Sequence, residues 1–379
     1  MLKLDRIMSA AAEPLDSAYS LPFEVYTDPN IFDAEKKQIF SKEWVFVCMT
    51  GELAEAGDYF AMTLANEPIV VIRGEDLQLR AFSNICRHRG TLLLDEGFGK
   101  VDKYITCPYH AWAYDRAGAL RAIPYNKIIA VDREAHQLIQ FNLDIWNGLV
   151  FVNLDAKAPP LAERLSGIDD YLHLFQPGSF DQVQSGEIEI WQSNWKLAME
   201  NAMESYHLFK VHESTLEVVS PTSDAYYIAG SCEWSLTGGA TNMGTGSNQS
   251  DLYSHYILVQ IAPSFVGVLS YGSFGWLSAH PIDAQTTQIR SGAIYGGERS
   301  AGRSDEFTKA FFQEDQDICE RVQKGMGSKL SRGGKLVDME RVVVDFHQFL
   351  ASRLGNKQPS PLFEDDSARL WKTGKGSIG

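Results

Sequence analysis

The sequence has no run of the roughly 18 apolar residues that a membrane-spanning helix requires. Its opening, MLKLDRIMSAAAEPLDSAYS, is interrupted by Asp5, Glu13 and Asp16, so no signal peptide is expected and a cytoplasmic location follows. Positive charge is scarce: 34 Lys and Arg stand against 49 Asp and Glu, a formal charge of −15. Nucleic acid is therefore not an expected partner, because phosphate binding needs a basic footprint. Cysteine is scarcer still, with five in 379 residues, which excludes a disulfide framework. Cys48, Cys232 and Cys319 stand alone and read as small buried hydrophobes. There is no internal repeat, no low-complexity tract, and no Gly-x-Gly-x-x-Gly set between a predicted strand and a helix, the context that a nicotinamide or flavin fingerprint requires.

What remains is globular in composition, 44% hydrophobic and 22% charged, and long enough for two domains with proper cores. Residues 1–44 read as a lead-in that ends in a helix. After Asp28-Pro29-Asn30, Phe32, Lys36, Ile39, Phe40 and Trp44 recur at helical spacing. Residues 45–157 change to short β runs with turn residues between them, such as Pro68–Arg73 before Gly74-Glu75-Asp76, and Gly148–Asn153. Ala158-Pro159-Pro160 is the linker candidate, and 158–379 forms the second domain. It holds a helical stretch around Leu161 to Phe175, a strand at Gly186 to Gln192 and a long helical pattern from Asn194. β-rich sequence follows from about 225 to 296, and an amphipathic helix begins near Ser304. Blocks of strands and helices, rather than alternating units, make this half α+β.

Two metal patterns stand out. Cys86-Arg87-His88 and Cys107-Pro108-Tyr109-His110 are separated by eighteen residues, and each follows a β run. Zinc knuckles usually group like ligands, which leaves a Cys2His2 zinc site as the bland alternative. Here each loop offers one thiolate and one imidazole. A Rieske [2Fe–2S] centre uses that mixture, two cysteines on one iron and two histidines on the other. The second pattern lies in Asn194–His212. Glu204 and His207 are three apart and share a helix face. His212 falls about 140° from His207 on an ideal helix, so both can ligate one ion only if the helix widens or unwinds near Phe209 to Val211. Such histidines can equally be core residues. Two histidines and one carboxylate make the facial triad of a non-haem Fe(II) oxygenase. The helix from Phe307 to Met326 offers Glu314, Asp315 and Asp317. Phe307, Phe311, Ile318 and Val322 set its apolar face, widened by Phe312, Cys319 and Met326. Asp315 falls near the middle of that face, Glu314 at its edge and Asp317 outside it. A carboxylate facing a core must be paired or bind metal, so Asp315 is the expected third ligand.

Cys107-Pro-Tyr-His-Ala-Trp-Ala-Tyr, with Ala111 in place of the usual glycine, resembles the Rieske family. The two patterns together resemble the α subunit of Rieske ring-hydroxylating oxygenases over essentially the whole chain; Asn194-Trp195-Lys196 and Glu200-Asn201 also match that family's helix. The resemblance implies an all-β Rieske domain followed by a helix-grip (START-like) catalytic domain, an antiparallel sheet about a long helix. It implies a [2Fe–2S] cluster on Cys86, His88, Cys107 and His110, and mononuclear Fe(II) on His207, His212 and Asp315. It further implies a homotrimer in which Glu204 bridges His110 of one subunit to His207 of the next; Glu200, one turn from Glu204, reads as structural, orienting that segment. Glutamate at 204 is similar to members that oxidise N-alkyl groups, including those acting on quaternary amines.

A bare electron carrier would explain the first pattern, and a START-like binding protein the second half; the oxygenase explains both. The expected reaction is dioxygen-dependent monooxygenation of a small organic substrate. Oxidative N-dealkylation of an N-alkyl aromatic amide or amine xenobiotic comes first, with arene dihydroxylation or N-demethylation of a quaternary amine as alternatives. Eleven aromatics lie from Tyr206 to Trp276, most of them readable as core. Asn201, Tyr206, Phe209, Tyr253 and Trp276 are the pocket candidates. A separate ferredoxin and NADH-dependent reductase are expected partners. The stretch Arg73 to Arg121 carries eight basic residues against six acids, and Arg87, Arg89 and Arg116 mark its docking surface.

Overall fold

Short β-branched and aromatic runs joined by tight turns account for the first half of the chain. In the computed structural model, which describes residues 2–241, 254–296 and 305–355, they form ten strands. These are β1 Val45–Met49, β2 Asp58–Leu64, β3 Glu67–Arg73, β4 Leu79–Ser83, β5 Gly97–Lys100, β6 Tyr104–Thr106, β7 Ala113–Asp115, β8 Leu120–Ala122, β9 Gln140–Trp146 and β10 Leu149–Asn153. Seven of them make an antiparallel sheet in the order β1-β10-β9-β4-β3-β2-β5, and β6-β7-β8 make a second, small one. Asn147 and Gly148, at φ 48° and 81°, supply the two-residue turn that matches the twist of β9 and β10. The core of this unit packs Phe82, Ile105, Trp112, Tyr114 and Leu120 around Cys86 and Cys107.

The chain divides into two compact units, Phe40–Leu161 and Met1–Ile39 together with Ala162–Gly379. The second unit has its own antiparallel sheet: β11 Gln182–Trp191, β12 Tyr226–Ile228, β13 Trp234–Ala240, β14 His255–Ile261, β15 Phe265–Ser270, β16 Ser273–Pro281 and β17 Thr287–Tyr295, in the order β11-β17-β16-β15-β14-β13-β12. The helix Arg341–Leu354 is buried on every side, Val342 to Ala351 without a break, as expected of a helix that a sheet and other helices surround. Sequence periodicity did not single it out, because an all-round apolar segment has no polar face to mark the period.

Other helices differ from expectation in their ends. Asp28 caps the lead-in helix by accepting from Asn30 N, but the α-helix stops at Glu35 and continues as a π turn, Lys36–Phe40, rather than running to Trp44. The long pattern from Asn194 is likewise broken: the helix spans Trp195–Met203, and Asn194 caps it by accepting from Lys196 N. The stretch Leu161 to Phe175 resolves into short pieces, Leu161–Arg164, Asp169–Leu172 and His173–Phe175.

One ion pair ties the lead-in to the helix Trp195–Met203. Glu35 Oε1 accepts from Lys196 Nζ at 2.6 Å and Oε2 from Trp195 Nε1 at 2.8 Å, with both charged side chains wholly buried. Burial pulls the Lys196 ammonium below its ordinary value, against the opposing pull of Glu35. Such a pair adds little over an apolar pair, but breaking it leaves a lone buried charge. Glu35→Gln or Lys196→Met alone should cost about 3–5 kcal/mol of stability, and Glu35→Leu with Lys196→Met should recover most of it. Urea unfolding of the four proteins followed by tryptophan fluorescence checks this; equal losses in single and double variants would contradict it.

Candidate metal centres

The two cysteine loops are built alike. Gly90 N donates to Cys86 O at 3.1 Å, and Ala111 N donates to Cys107 O at 3.0 Å, each four residues after its cysteine. Both closing residues sit at positive φ, 74° for Gly90 and 56° for Ala111. Each loop therefore folds its histidine back toward the other. The His88 and His110 rings lie edge to face with centroids 4.8 Å apart, and Trp112 stacks on His88 at 4.6 Å. Cys86 and Cys107 are each 3% exposed, while both histidines are on the surface. Tyr114 Oη lies 3.4 Å from Cys86 Sγ and accepts from Arg87 N at 3.0 Å. Burial pushes the Cys107 thiol up, but the N–H groups of Tyr109 and His110, with the Cys86 and Thr91 side chains, together hold it below its ordinary value. Sulfurs inside and imidazoles outside suit two irons with unlike ligands better than one tetrahedral zinc.

In the second unit the helix Trp195–Met203 ends where Glu204 turns extended, at φ −113° and ψ 162°. Glu204 and His207 are thus not on one helix face. The Glu204 carboxylate instead accepts from the backbone N–H groups of Tyr206 and His207, capping the next turn, and from His207 Nδ1 at 2.6 Å. The short helix Leu208–Val211 follows, and His212 leaves it at φ −105° and ψ 33°. Unwinding occurs on both sides of Phe209 to Val211 rather than within it. His207, His212 and Asp315 then offer donor atoms that all lie within 4.8 Å of one another. Asp315 Oδ1 is 3.0 Å from His212 Nε2 and 3.5 Å from His207 Nε2, and it accepts from Asn201 Nδ2 at 2.6 Å. His212 Nδ1 donates to Glu314 Oε2 at 2.7 Å.

Each imidazole therefore has a carboxylate on Nδ1, which would hold the proton there and leave Nε2 to a metal when one displaces the proton between it and Asp315. Two such nitrogens and one carboxylate oxygen are the donor set of a non-haem Fe(II) site, with coordination positions left open. Burial works against charge on His207, yet the bonds to Asp315 and Glu204 prevail and raise it to about 10. The field of those two carboxylates would attract a cation equally.

On the helix Asp305–Met326 the buried stripe is not the expected one. Val322 is 39% exposed, whereas Cys319 is buried as expected one turn beyond Asp315, and the polar Gln323 is buried a turn further on. Gln323 is held in place by polar bonds, accepting from Asn194 N and donating to Tyr26 O, which an apolar-face count misses. Asp317 is exposed and bonded to Gln313. Asn201 meets Asp315 directly. Tyr206 and Phe209, 40% and 49% exposed, flank His207 in sequence with rings 5.8 Å apart. Trp276 is not brought to the site: it shares a register row with Leu236, whereas Thr237, one residue on and so on the other sheet face, bonds Met203 O. Tyr226, Tyr227, Trp234, Tyr256 and Phe274 are all buried, and Tyr253 lies outside the described residues. Glu200 accepts from Tyr26 Oη at 2.7 Å and lies 3.1 Å from His347 Nε2, within the fold. Arg87 and Arg89 are exposed, but Arg116 is turned inward toward Val101 O and Glu75.

His207→Ala, His212→Ala and Asp315→Ala should each remove one iron per chain and abolish turnover while leaving the cluster spectrum, with Asp317→Ala close to silent. Iron analysis decides this, and loss with Asp317 but not Asp315 would refute it. Ala111→Gly should raise the urea midpoint for loss of the visible cluster band, a net gain of roughly 0.5–1 kcal/mol once the freer unfolded chain offsets the relief of strain.

The chain matches two family descriptions: the Rieske [2Fe–2S] domain over residues 43–132 and the ring hydroxylating alpha subunit catalytic domain over residues 179–356. It is 30% identical over 352 residues to the carnitine monooxygenase oxygenase subunit of Escherichia coli (strain K12), covering 88% of this chain and 93% of that one. The glycine betaine monooxygenase oxygenase subunit of Chromohalobacter salexigens is 36% identical over 198 residues, 52% of this chain and 44% of that one. A crystal structure of a quaternary ammonium Rieske monooxygenase superposes with a TM-score of 0.79 at 25% identity, covering 92% of this chain and 98% of that one. Among the described residues no helix is long and apolar enough to cross a membrane. Two domains in this order, with a relative alike along nearly its whole length, place the chain among the Rieske non-haem iron oxygenases, as a terminal oxygenase α subunit of the ring-hydroxylating family, whose Rieske domain binds a [2Fe–2S] cluster and whose catalytic domain binds a mononuclear iron.

Proposed function

We propose that this oxygenase hydroxylates a carbon bound to nitrogen, with a quaternary ammonium compound as its substrate class. The observation that carries the substrate class is the chain-wide likeness to carnitine monooxygenase. Cys86, His88, Cys107 and His110 hold the cluster in this reading, and His207, His212 and Asp315 hold the iron. The iron supplies dioxygen activation when electrons reach it. Glu204 and Glu314 keep both imidazoles in the ligating tautomer, and Asn201 aims the Asp315 carboxylate. Two electrons, two protons and dioxygen convert one N-methyl group to a carbinol and release water. The carbinol collapses to the tertiary amine, an aldehyde and a proton.

The half-exposed pair Tyr206 and Phe209 can face the methyl groups of an ammonium, the attraction being that of a cation over aromatic rings. The same pair favours the second reading, an N-alkyl aromatic amide or amine packed against one of the two rings. Members of the family work with electron-transfer partners and are multimeric. Here we take the partners to be a ferredoxin and an NADH-dependent reductase, docking near Arg87 and Arg89, and the assembly to be a homotrimer in which Glu204 links His110 of one subunit to His207 of its neighbour.

Glycine betaine, carnitine, an N-alkyl anilide and benzoate, offered in parallel to the reduced enzyme, should give aldehyde with the quaternary amines. Preferred turnover of the anilide would favour the second reading, and a diol without aldehyde would overturn N-alkyl oxidation. Mixed rings of Cys86→Ala and His207→Ala chains should regain part of the activity that each lacks alone. Adding Glu204→Gln to the Cys86→Ala chain, whose iron site is the working one, should remove it. Well-formed mixed rings without recovery would mean that electrons stay within one chain.

A further inference from the structure

His212 is wholly buried, and its ring spans two neighbouring acids of one helix: Nε2 faces Asp315 Oδ1 at 3.0 Å, and Nδ1 faces Glu314 Oε2 at 2.7 Å. The same Glu314 oxygen accepts from Thr215 Oγ1 at 2.6 Å. Thr215 comes from the turn that His212 begins, its N–H donating back to His212 O at 3.0 Å. Ring and hydroxyl, three residues apart, thus converge on one carboxylate oxygen from the same piece of backbone. A neutral imidazole has one N–H to give; with Glu314 accepting it at Nδ1, Nε2 is left as the donor atom beside Asp315. Glu204 stands in the same relation to His207. Glu204 also caps a turn through two backbone N–H groups, whereas the Glu314 bonds run to His212 and Thr215 alone among the described residues.

We propose that Glu314, steadied by the Thr215 hydroxyl, is a positioning residue that orients His212 as a metal ligand, an inference that rests on the iron reading of His207, His212 and Asp315. Carboxylates on the far nitrogen of a ligating imidazole fix its orientation and raise its basicity, and their loss costs metal affinity. Glu314 is not itself a ligand: the donor group that converges is His207, His212 and Asp315.

The test is anaerobic titration of Fe(II), against a competing chelator, into full-length enzyme stripped of its mononuclear metal with the cluster kept. Glu314→Ala should weaken Fe(II) binding on the order of 10–100-fold. Glu314→Gln should fall between it and wild type, because the amide oxygen still accepts but without charge. Thr215→Val should show a smaller loss of the same kind. Asp317→Asn, the same charge change at an exposed position of that helix, should bind as wild type. Co(II) in place of Fe(II) should show a shifted visible absorption in Glu314→Ala and Thr215→Val and none in Asp317→Asn, a signature that mere helix packing would not produce. Retained cluster absorption reports the fold, and the Gln and Val variants keep the test open should the Ala variant unfold. Wild-type affinity with an unshifted Co(II) spectrum in the Glu314 variants would overturn the proposal. So would metal loss as complete as in Asp315→Ala, which would make Glu314 a ligand. A wild-type enzyme that takes up no Fe(II) here would overturn the iron reading and this inference with it, a result that leaves the two failures distinguishable.

Discussion

An imidazole can ligate a metal through Nε2 only if its proton is held at Nδ1, and much of the catalytic unit follows from meeting that condition twice in a buried place. For His207 the acceptor is Glu204, which reaches it only because the helix Trp195–Met203 breaks off just before. For His212 it is Glu314, which requires the helix Asp305–Met326 to lie alongside with two consecutive acids presented to one ring. Both demands fix backbone rather than side chains. The buried Glu35–Lys196 pair and the Gln323 bonds to Asn194 and Tyr26 then hold the start of the first helix against the lead-in and the second helix.

The cluster unit meets a different constraint. The Cys107 thiol is favoured as thiolate by the N–H groups of its own loop, Cys86 lies beside the Tyr114 hydroxyl while burial raises it, and the His88 and His110 imidazoles stand at the surface. Two loops of the same closure, each ended by a residue at positive φ, suffice. Here local sequence determines local geometry, and short-range chemistry is enough to recognise it.

That contrast explains what the sequence made legible. Cys86, His88, Cys107 and His110 announce themselves by spacing, and the β runs around them have period and turn signals. Asp315 could be reached from the apolar face of its helix, although that face was centred wrongly: Val322 is exposed, and the polar Gln323 is buried because its amide is bonded at both ends. The pairing of Glu314 with His212 spans 102 residues, and that of Asn201 with Asp315 spans 114; no local pattern encodes either. Trp276 illustrates the opposite error. Its residue type suits a pocket, but β-sheet parity puts it on the face away from Thr237 and the helix Trp195–Met203. Ala111 stands where the resembled family has glycine, and its φ of 56° makes it a position with a conformational cost that residue type alone does not show.

The discontinuity of the catalytic unit has a consequence for the order in which the molecule is made. Residues 40–161 are contiguous and contain every strand of their own sheets, so they can mature on the ribosome soon after they emerge. The other unit draws on both flanks of that insertion, and the helix at its centre, Arg341–Leu354, is among the last described segments to be synthesised. Until it arrives, the sheet β11–β17 and the helix Trp195–Met203 lack the helix that packs against both, and the lead-in has nothing complete to join. Synthesis therefore passes through a stage with a finished Rieske unit and an unfinished catalytic one, and His207, His212 and Asp315 come together only when the second half closes.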